Sequence, residues 1–346
     1  MRSLLAIIFC VNLLVAQNTN RWDTTRYQKF RANLIVGLYQ SHRNFENKFS
    51  QIQFPDTFGF SEQTFTAESQ NITGIDITYD KFSLAFGVRT TPQKNSEGKG
   101  KTDTYSFGFN FGGNKWLLEN GLRYFKGFYI SSPAFIDTNE TGTAEYYLRP
   151  NFTNTLIRSK FMFFTNHKKY SFKSNYSCNY RQLKSGGTWI FSGNTHYNYM
   201  YNDSSFFHPR VRELYGDKAE LHGVKVFGIS TNAGGAYTIV WWRAFFAHVM
   251  FMIGPEQQWR TYNYPDKSVN VSQLSLSYDL RGVIGVNFKK FYFTFYGGRD
   301  AVLYNTKFMH VESTYIVGGT TLGWRFRSKI PEFYKKFQDT KLYLSI

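Results

Sequence analysis

The sequence predicts an all-β fold, a single transmembrane antiparallel β-barrel of about twelve strands with fourteen as the alternative count. The first observation behind this is alternation. Tyr105, Phe107, Phe109 and Phe111 fall on one side of a strand and Ser106, Gly108, Asn110 and Gly112 on the other, and the register recurs in segment after segment. A soluble sheet can bury one or two such aromatic walls in a core, whereas a chain built of them fits lipid outside and polar packing inside. The second is the N-terminus: Arg2, an apolar run over residues 4–15 and Leu14-Val15-Ala16 before Gln17 read as an export signal, too short to span a bilayer. The third is the siting of aromatic residues beside short charged turns. Tyr79 and Phe82 bracket Asp80-Lys81, Trp116 follows Gly113-Asn114-Lys115, and Phe288 and Phe291 bracket Lys289-Lys290, as an interfacial girdle requires.

In chain order, residues 1–16 read as the signal, 17–30 as a short periplasmic segment, 31–327 as the barrel and 328–346 as a basic periplasmic tail. Residues 31–40 make the first strand, with Ala32, Leu34, Val36 and Leu38 outward, and a long polar segment follows to Asn71. Residues 72–79 and 82–89 form a hairpin across Asp80-Lys81, with Phe82, Leu84, Phe86 and Val88 to lipid and Ser83, Ala85, Gly87 and Arg89 inward. After a loop over residues 90–104, residues 105–112 and 116–124 form a second hairpin. Residues 152–165 and 170–181 form a third around Asn166-His167-Lys168-Lys169. Trp189, Phe191, Tyr197, Tyr199 and Tyr201 then share a face opposite Ser192, Asn194, His196 and Asn198, and strands over 224–239, 244–252, 274–287, 291–297 and 313–327 complete the series. Residues 235–254 resemble a membrane helix, but Arg243 near the centre would cost roughly 2.5 to 3.5 kcal/mol, so a hairpin turning at residues 240–243 is preferred. Phe246, Met250 and Met252 then face an apolar interior. The series comes to about thirteen strands where an even number is required, and residues 202–223, as loop, short helix or hidden strand, are where the count is corrected.

The net charge of +17 points first to an acidic partner. Many of the basic residues sit in turns, as at Lys168-Lys169 and Lys289-Lys290, or on the polar face of strands. That placement argues against nucleic acid and leaves a general attraction to anionic lipopolysaccharide and lipid head groups. Of the two cysteines, Cys10 leaves with the signal, so Cys178 has no partner for a disulfide and no cysteine metal cluster forms. There is no G-x-S-x-G, H-E-x-x-H, C-x-x-C or P-loop, and no cofactor or metal is expected.

The inward face is predicted to carry Arg89, Glu119, Arg123, Arg158, Lys160, Lys173, Arg181, Asp279 and Arg281, with Asp76 beside them, pairing across strands or lining a narrow aqueous path. No catalytic residue is expected. Were the barrel an enzyme, Ser192, His196 and Asp279 are the trio to test, as nucleophile, base and orienting group.

Tyr147-Leu148-Arg149-Pro150-Asn151 leading into a strand, the run Phe163-Phe164-Thr165-Asn166-His167-Lys168-Lys169-Tyr170-Ser171-Phe172 and the turn Gln182-Leu183-Lys184-Ser185-Gly186-Gly187 together resemble domain-of-unknown-function family 4421 (DUF4421), over nearly all of the mature chain. The resemblance implies an exported, barrel-like protein of the Gram-negative outer membrane without an assigned activity, and it supplies no catalytic residues. The expected function is therefore a binding or structural barrel, or a narrow anion-preferring conduit. Its partners are outer-membrane lipid, lipopolysaccharide and, through long loops over residues 40–71 and 127–150, envelope proteins. An outer-membrane enzyme of lipase, acyltransferase or protease type and a soluble secreted β-protein are the alternatives.

Overall fold

The computed structural model describes residues 22–51, 62–90, 98–132, 136–138, 144–305 and 309–345. Twelve strands close into a ring: β1 (Asn33–Gln51), β2 (Glu62–Tyr79), β3 (Phe82–Arg89), β4 (Asp103–Gly112), β5 (Trp116–Ser132), β6 (Leu148–Phe164), β7 (Gly186–Tyr201), β8 (Gly223–Trp241), β9 (Phe245–Asn263), β10 (Ser268–Asn287), β11 (Phe291–Asn305) and β12 (Met309–Arg327). Each pairs antiparallel with the next, and β12 returns to β1 from Met309↔Gln51 to Arg327↔Asn33, so the ring has no open edge. The fold is a single transmembrane antiparallel β-barrel with twelve strands.

The strands are longer than a bilayer needs. β1 and β9 have 19 residues each and β10 has 20, where about 9 to 11 suffice to cross. The surplus explains why the polar stretch after Gln40 is strand and not loop. On β1 the outward side chains pass from Leu34, Val36 and Leu38 to His42, Glu46 and Lys48, while the inward ones become Phe45 and Phe49, both buried. Lipid-type patterning gives way to the ordinary soluble one, apolar in and polar out, where the wall leaves the membrane. Exposed Ile77, Phe86, Phe107, Leu122, Ile157, Phe161, Phe251 and Phe295 belong to the membrane belt. At its narrow-turn end the belt closes in cross-strand aromatic pairs, Phe82↔Phe111, Trp116↔Phe163, Trp241↔Phe245 and Phe291↔Trp324. The hairpin between β8 and β9 turns at Trp242 and Arg243, both left-handed, which puts the Arg243 charge at that interface. The short hairpin β3–β4 stops lower than its neighbours, and above it β2 pairs directly with β5 through Thr64↔Ser132, Phe65↔Ile130 and Thr66↔Tyr129. A bulge at Gly127 (φ +91°) lets β5 bend there, since a Cβ would collide with the Lys101 carbonyl.

The expected return strand over residues 170–181 is not in the wall. β6 pairs with β7, from Phe164↔Ile190 to Thr153↔Tyr201, and the segment between them folds into the lumen. A wall strand needs one face turned to lipid. Here consecutive residues Tyr170, Ser171, Phe172, Lys173, Ser174 and Asn175 are all buried, so the apparent alternation is a plug packed on every side. The plug makes a 3-10 turn at Phe172–Ser174 and a short strand, Tyr180–Gln182, that pairs with Tyr27–Lys29. Two helices follow the barrel, α1 (Glu332–Gln338) and α2 (Lys341–Ser345), and the hydroxyls of Tyr334 and Tyr343 both donate to Asp80 Oδ2 (3.0 and 2.6 Å). At the opposite mouth, residues 202–222 form neither a hidden strand nor an α-helix. They make a loop with a kinked 3-10 segment, Arg212–Lys218, whose Phe206, Phe207, Val211, Tyr215 and Leu221 join Phe45, Phe49, Phe65 and Phe152 in one apolar cluster.

Candidate functional site

Between plug and upper cluster lies a polar chamber of about 320 Å³, with Tyr176 of the plug on one side and Tyr39, Tyr296 and Tyr315 among its walls. Five inward-facing cations, Arg43, Arg123, Arg158, Lys160 and Arg281, and four carboxylates, Glu119, Glu256, Asp279 and Asp300, line it and the smaller space that adjoins it, while exposed Arg299 at its edge pairs with Glu312. Strand parity brings them there from six strands. Glu119 and Lys160 are cross-strand partners on β5 and β6, and Asp279 and Asp300 on β10 and β11.

Arg281 is the hub. Its guanidinium donates twice to Glu119 (3.1 and 3.0 Å) and twice to Asp279 (3.0 and 2.8 Å), a fork geometry that carboxylates match. Lys160 donates to the same Asp279, and Arg158 to Asp300. Arg43 has no carboxylate among the described residues and bonds Ser106 Oγ (2.7 Å) and Ser41 Oγ (3.1 Å). Arg123 lies 3.7 Å over the Tyr315 ring, and its Nη1 makes no hydrogen bond among the described residues.

The structure thus brings Glu119, Arg123, Arg158, Lys160, Asp279 and Arg281 together, and places the other inward candidates elsewhere. Arg89 sits at the upper end of β3 and donates to the Thr102 carbonyl (2.7 Å). Lys173 belongs to the plug and not to a wall strand; its Nζ donates to the carbonyls of Asp80 (3.2 Å) and Gly112 (3.0 Å). Arg181, on the plug's short strand, reaches the Arg243 carbonyl at the rim (3.1 Å). Asp76 lines a cleft beside Lys173 that adjoins the chamber and shares Glu119 and Tyr176 with it.

Ser192, His196 and Asp279 all point inward but do not meet. Ser192 and His196 lie four residues apart on β7, roughly 13 Å at 3.3 Å per residue. Ser192 Oγ makes no hydrogen bond among the described residues. His196 faces Glu256 (Nε2 to Oε1, 3.7 Å) and lies across Gly228, where a Cβ would overlap its ring. Asp279 is taken by Lys160 and Arg281. Among the described residues no group of three His, Cys, Asp or Glu side chains could hold a metal ion.

Sequence reasoning missed Asp300, Glu256, Arg43 and the plug's Tyr176. Asp300 was legible in principle: outward Phe291, Phe293 and Phe295 set a parity that carries Asp300 inward once the strand is followed past Gly297-Gly298. Arg43 lies in a strand stretch whose polar outer residues read as loop, and Glu256 lies beyond Met252, where the sequence reading ends the strand although Ile253 and Trp259 continue its outward apolar row. Nothing in the sequence marked Tyr176 as part of a plug.

Residues 21–326 match the family described as Domain of unknown function (DUF4421). No curated protein matches the chain. Solved structures similar to it include the outer membrane protease OmpT from Escherichia coli, at 7% identity and a TM-score of 0.41 over 86% of this chain and 98% of that one. They also include the toluene transporter TodX of P. putida, at 7% identity and 0.26 over 86% and 91%, and Ail, the attachment invasion locus protein of Yersinia pestis, at 8% identity and 0.20 over 86% and 99%.

Proposed function

The chain belongs to the DUF4421 family, and we propose that it is a closed barrel of the Gram-negative outer membrane that serves as a binding and structural element of the envelope, without hydrolytic activity or an open channel. The observation that carries this reading is the plug. Residues 165–185 fill the lumen at the narrow-turn end, and buried Lys173 ties them to two hairpin turns by its bonds to the Asp80 and Gly112 carbonyls. The aromatic loop over residues 202–222 fills the other mouth. Three of the chamber's four carboxylates, Glu119, Asp279 and Asp300, are occupied by Lys or Arg, and the fourth, Glu256, accepts from Gln258 Nε2, which favours a structural ion network over a site with a free base. Partners then meet the barrel from outside. Lipid takes the aromatic belt, lipopolysaccharide and other anionic head groups meet basic side chains by general electrostatic attraction, and envelope proteins meet the loops at the mouth opposite the short turns.

Planar-bilayer recording of the purified protein tests this. The wild type is expected to give no conductance steps, while replacement of residues 168–183 by a short Gly-Ser linker is expected to give steps that prefer anions, because the chamber holds five cations against four carboxylates. Steady wild-type conductance would sink the closed-barrel reading. Turnover of ester, lipid or peptide substrates that disappears in Ser192→Ala or His196→Ala would replace it with the enzyme.

A further inference from the structure

The narrow-turn end carries a second feature that the plugged lumen does not use. Lys29, Arg31, Lys81, Lys115 and Lys168 converge on one cleft of about 90 Å³, and none of its described lining residues is acidic. The five come from four separate places in the chain: the segment before β1, the β2–β3 turn, the β4–β5 turn and the plug. Such convergence of like charge is costly unless something negative shares the space. Within the cleft, Trp22 takes two of the cations on its ring, with Lys29 Nζ 3.8 Å and the Arg31 guanidinium 4.7 Å from the centroid. Asn114 is 4% exposed and lines the cleft. Its Oδ1 accepts from Ser171 Oγ (2.9 Å), and its Nδ2, beside the Tyr27 side chain, makes no hydrogen bond of good geometry among the described residues. A buried donor left over beside a cluster of cations is what an anion site presents before it is filled.

We propose that this cleft is an oxyanion site that takes a phosphate group, with Lys29, Lys81, Lys115 and Lys168 as charge partners and Asn114 Nδ2 as a neutral donor. Its depth suits a phospholipid head group as well as soluble phosphate, since Lys81 and Lys115 are each followed directly by a girdle aromatic, Phe82 and Trp116. Residues 1–22 contain no Asp or Glu, and Asp23, whose amide donates to the Lys168 carbonyl (3.0 Å), is not among the cleft's lining residues; its Oδ1 accepts from the amide and hydroxyl of Thr25 (2.9 and 2.6 Å). Asp80 acts on both Lys29 and Lys81, and its Oδ2 is held by the hydroxyls of Tyr334 and Tyr343. The titration of the cluster agrees. Burial, then Lys81 and Arg31, push the Lys29 ammonium down to about 7 against a weaker pull from Asp80, and burial pushes Lys81 down to about 8. Binding an anion would restore both charges, so affinity for sulfate, whose own charge is fixed, rises as pH falls from about 8 to 6.

The test uses the full chain in a phospholipid-free, non-ionic detergent at constant ionic strength. Inorganic phosphate, sulfate and dihexanoyl phosphatidylglycerol are titrated calorimetrically. Saturable binding that Lys115→Gln with Lys168→Gln weakens at least tenfold supports the site. Binding by all three probes marks a small-oxyanion site, and binding by the lipid probe alone marks the head group as the source. Asn114→Asp adds a reading that a merely structural role would not give. The carboxylate keeps the Ser171 bond and supplies the missing charge from within, so the variant is expected to melt at a higher temperature than wild type and to lose oxyanion binding at least tenfold. No binding by any probe, or binding that the lysine variants and Asn114→Asp leave unchanged, would overturn the proposal.

Discussion

Asp279→Asn is the sharpest perturbation of the chamber. Asp279 neutralises Lys160 and shares Arg281 with Glu119, so its loss falls unequally on the two cations. Arg281 keeps its two bonds to Glu119, whereas Lys160, 3% exposed, loses the only carboxylate it is paired with among the described residues. Removing one partner of a buried pair costs about 3 to 5 kcal/mol; with Glu119 directly across the strand pair from Lys160 we expect the lower end, about 3 kcal/mol. At about 1.4 kcal/mol per decade that is roughly a hundredfold in the folding equilibrium. Glu119→Gln should cost less, since Arg281 still has Asp279. The combination of Asp279→Asn with Lys160→Met removes the orphaned charge and should recover most of the loss, a coupling that simple addition of the two changes would not give. Urea unfolding of vesicle-inserted protein, followed by tryptophan fluorescence and extrapolated linearly, measures all four proteins. An Asp279→Asn variant within about 0.5 kcal/mol of wild type, or a double variant no more stable than the single, would refute the pairing as drawn.

Most of the wall was legible because a membrane strand shows only two environments, and period-2 patterning separates them wherever one is lipid. Phe82 to Val88, Tyr105 to Phe111 and Trp189 to Tyr201 are such stretches. Legibility failed where the environments change. Above the bilayer the upper parts of β1 and β2 invert their pattern, so Phe45 and Phe49 face in while Glu46 and Lys48 face out, and a search for a lipid-facing row passes over them. The plug failed for the opposite reason. Tyr170, Phe172, Tyr176 and Tyr180 have strand spacing, but their neighbours Ser171, Lys173 and Asn175 are buried too, a fact of three-dimensional filling that no period encodes. The chamber followed the wall: residues on strands read in the right register, such as Glu119, Lys160 and Asp279, were found, and those on stretches read as loop, such as Arg43, were not. Lys173 and Arg181 were misplaced because their segment was.

The membrane belt and the upper seal give two further expectations. Phe109→Arg puts a charge on the lipid face and should cost about 2 to 4 kcal/mol if it lies near the midplane, while Asn110→Arg, one residue on and facing the chamber, should fold with a smaller penalty. Equal costs on folding into liposomes would mean that the register is wrong. Phe206→Ala tests whether the loop over residues 202–222 is a seal or a part of the wall: Phe206 is fully buried, 5.0 Å from the Phe152 ring and 5.7 Å from Phe49, so its truncation should cost about 3 to 5 kcal/mol of loop docking. Because the twelve-stranded ring closes without that loop, the loss should appear as faster trypsin cleavage at Arg210 and Arg212 with the unfolding midpoint of the barrel nearly unchanged, and a midpoint that falls with it would make the loop part of the barrel's cooperative unit.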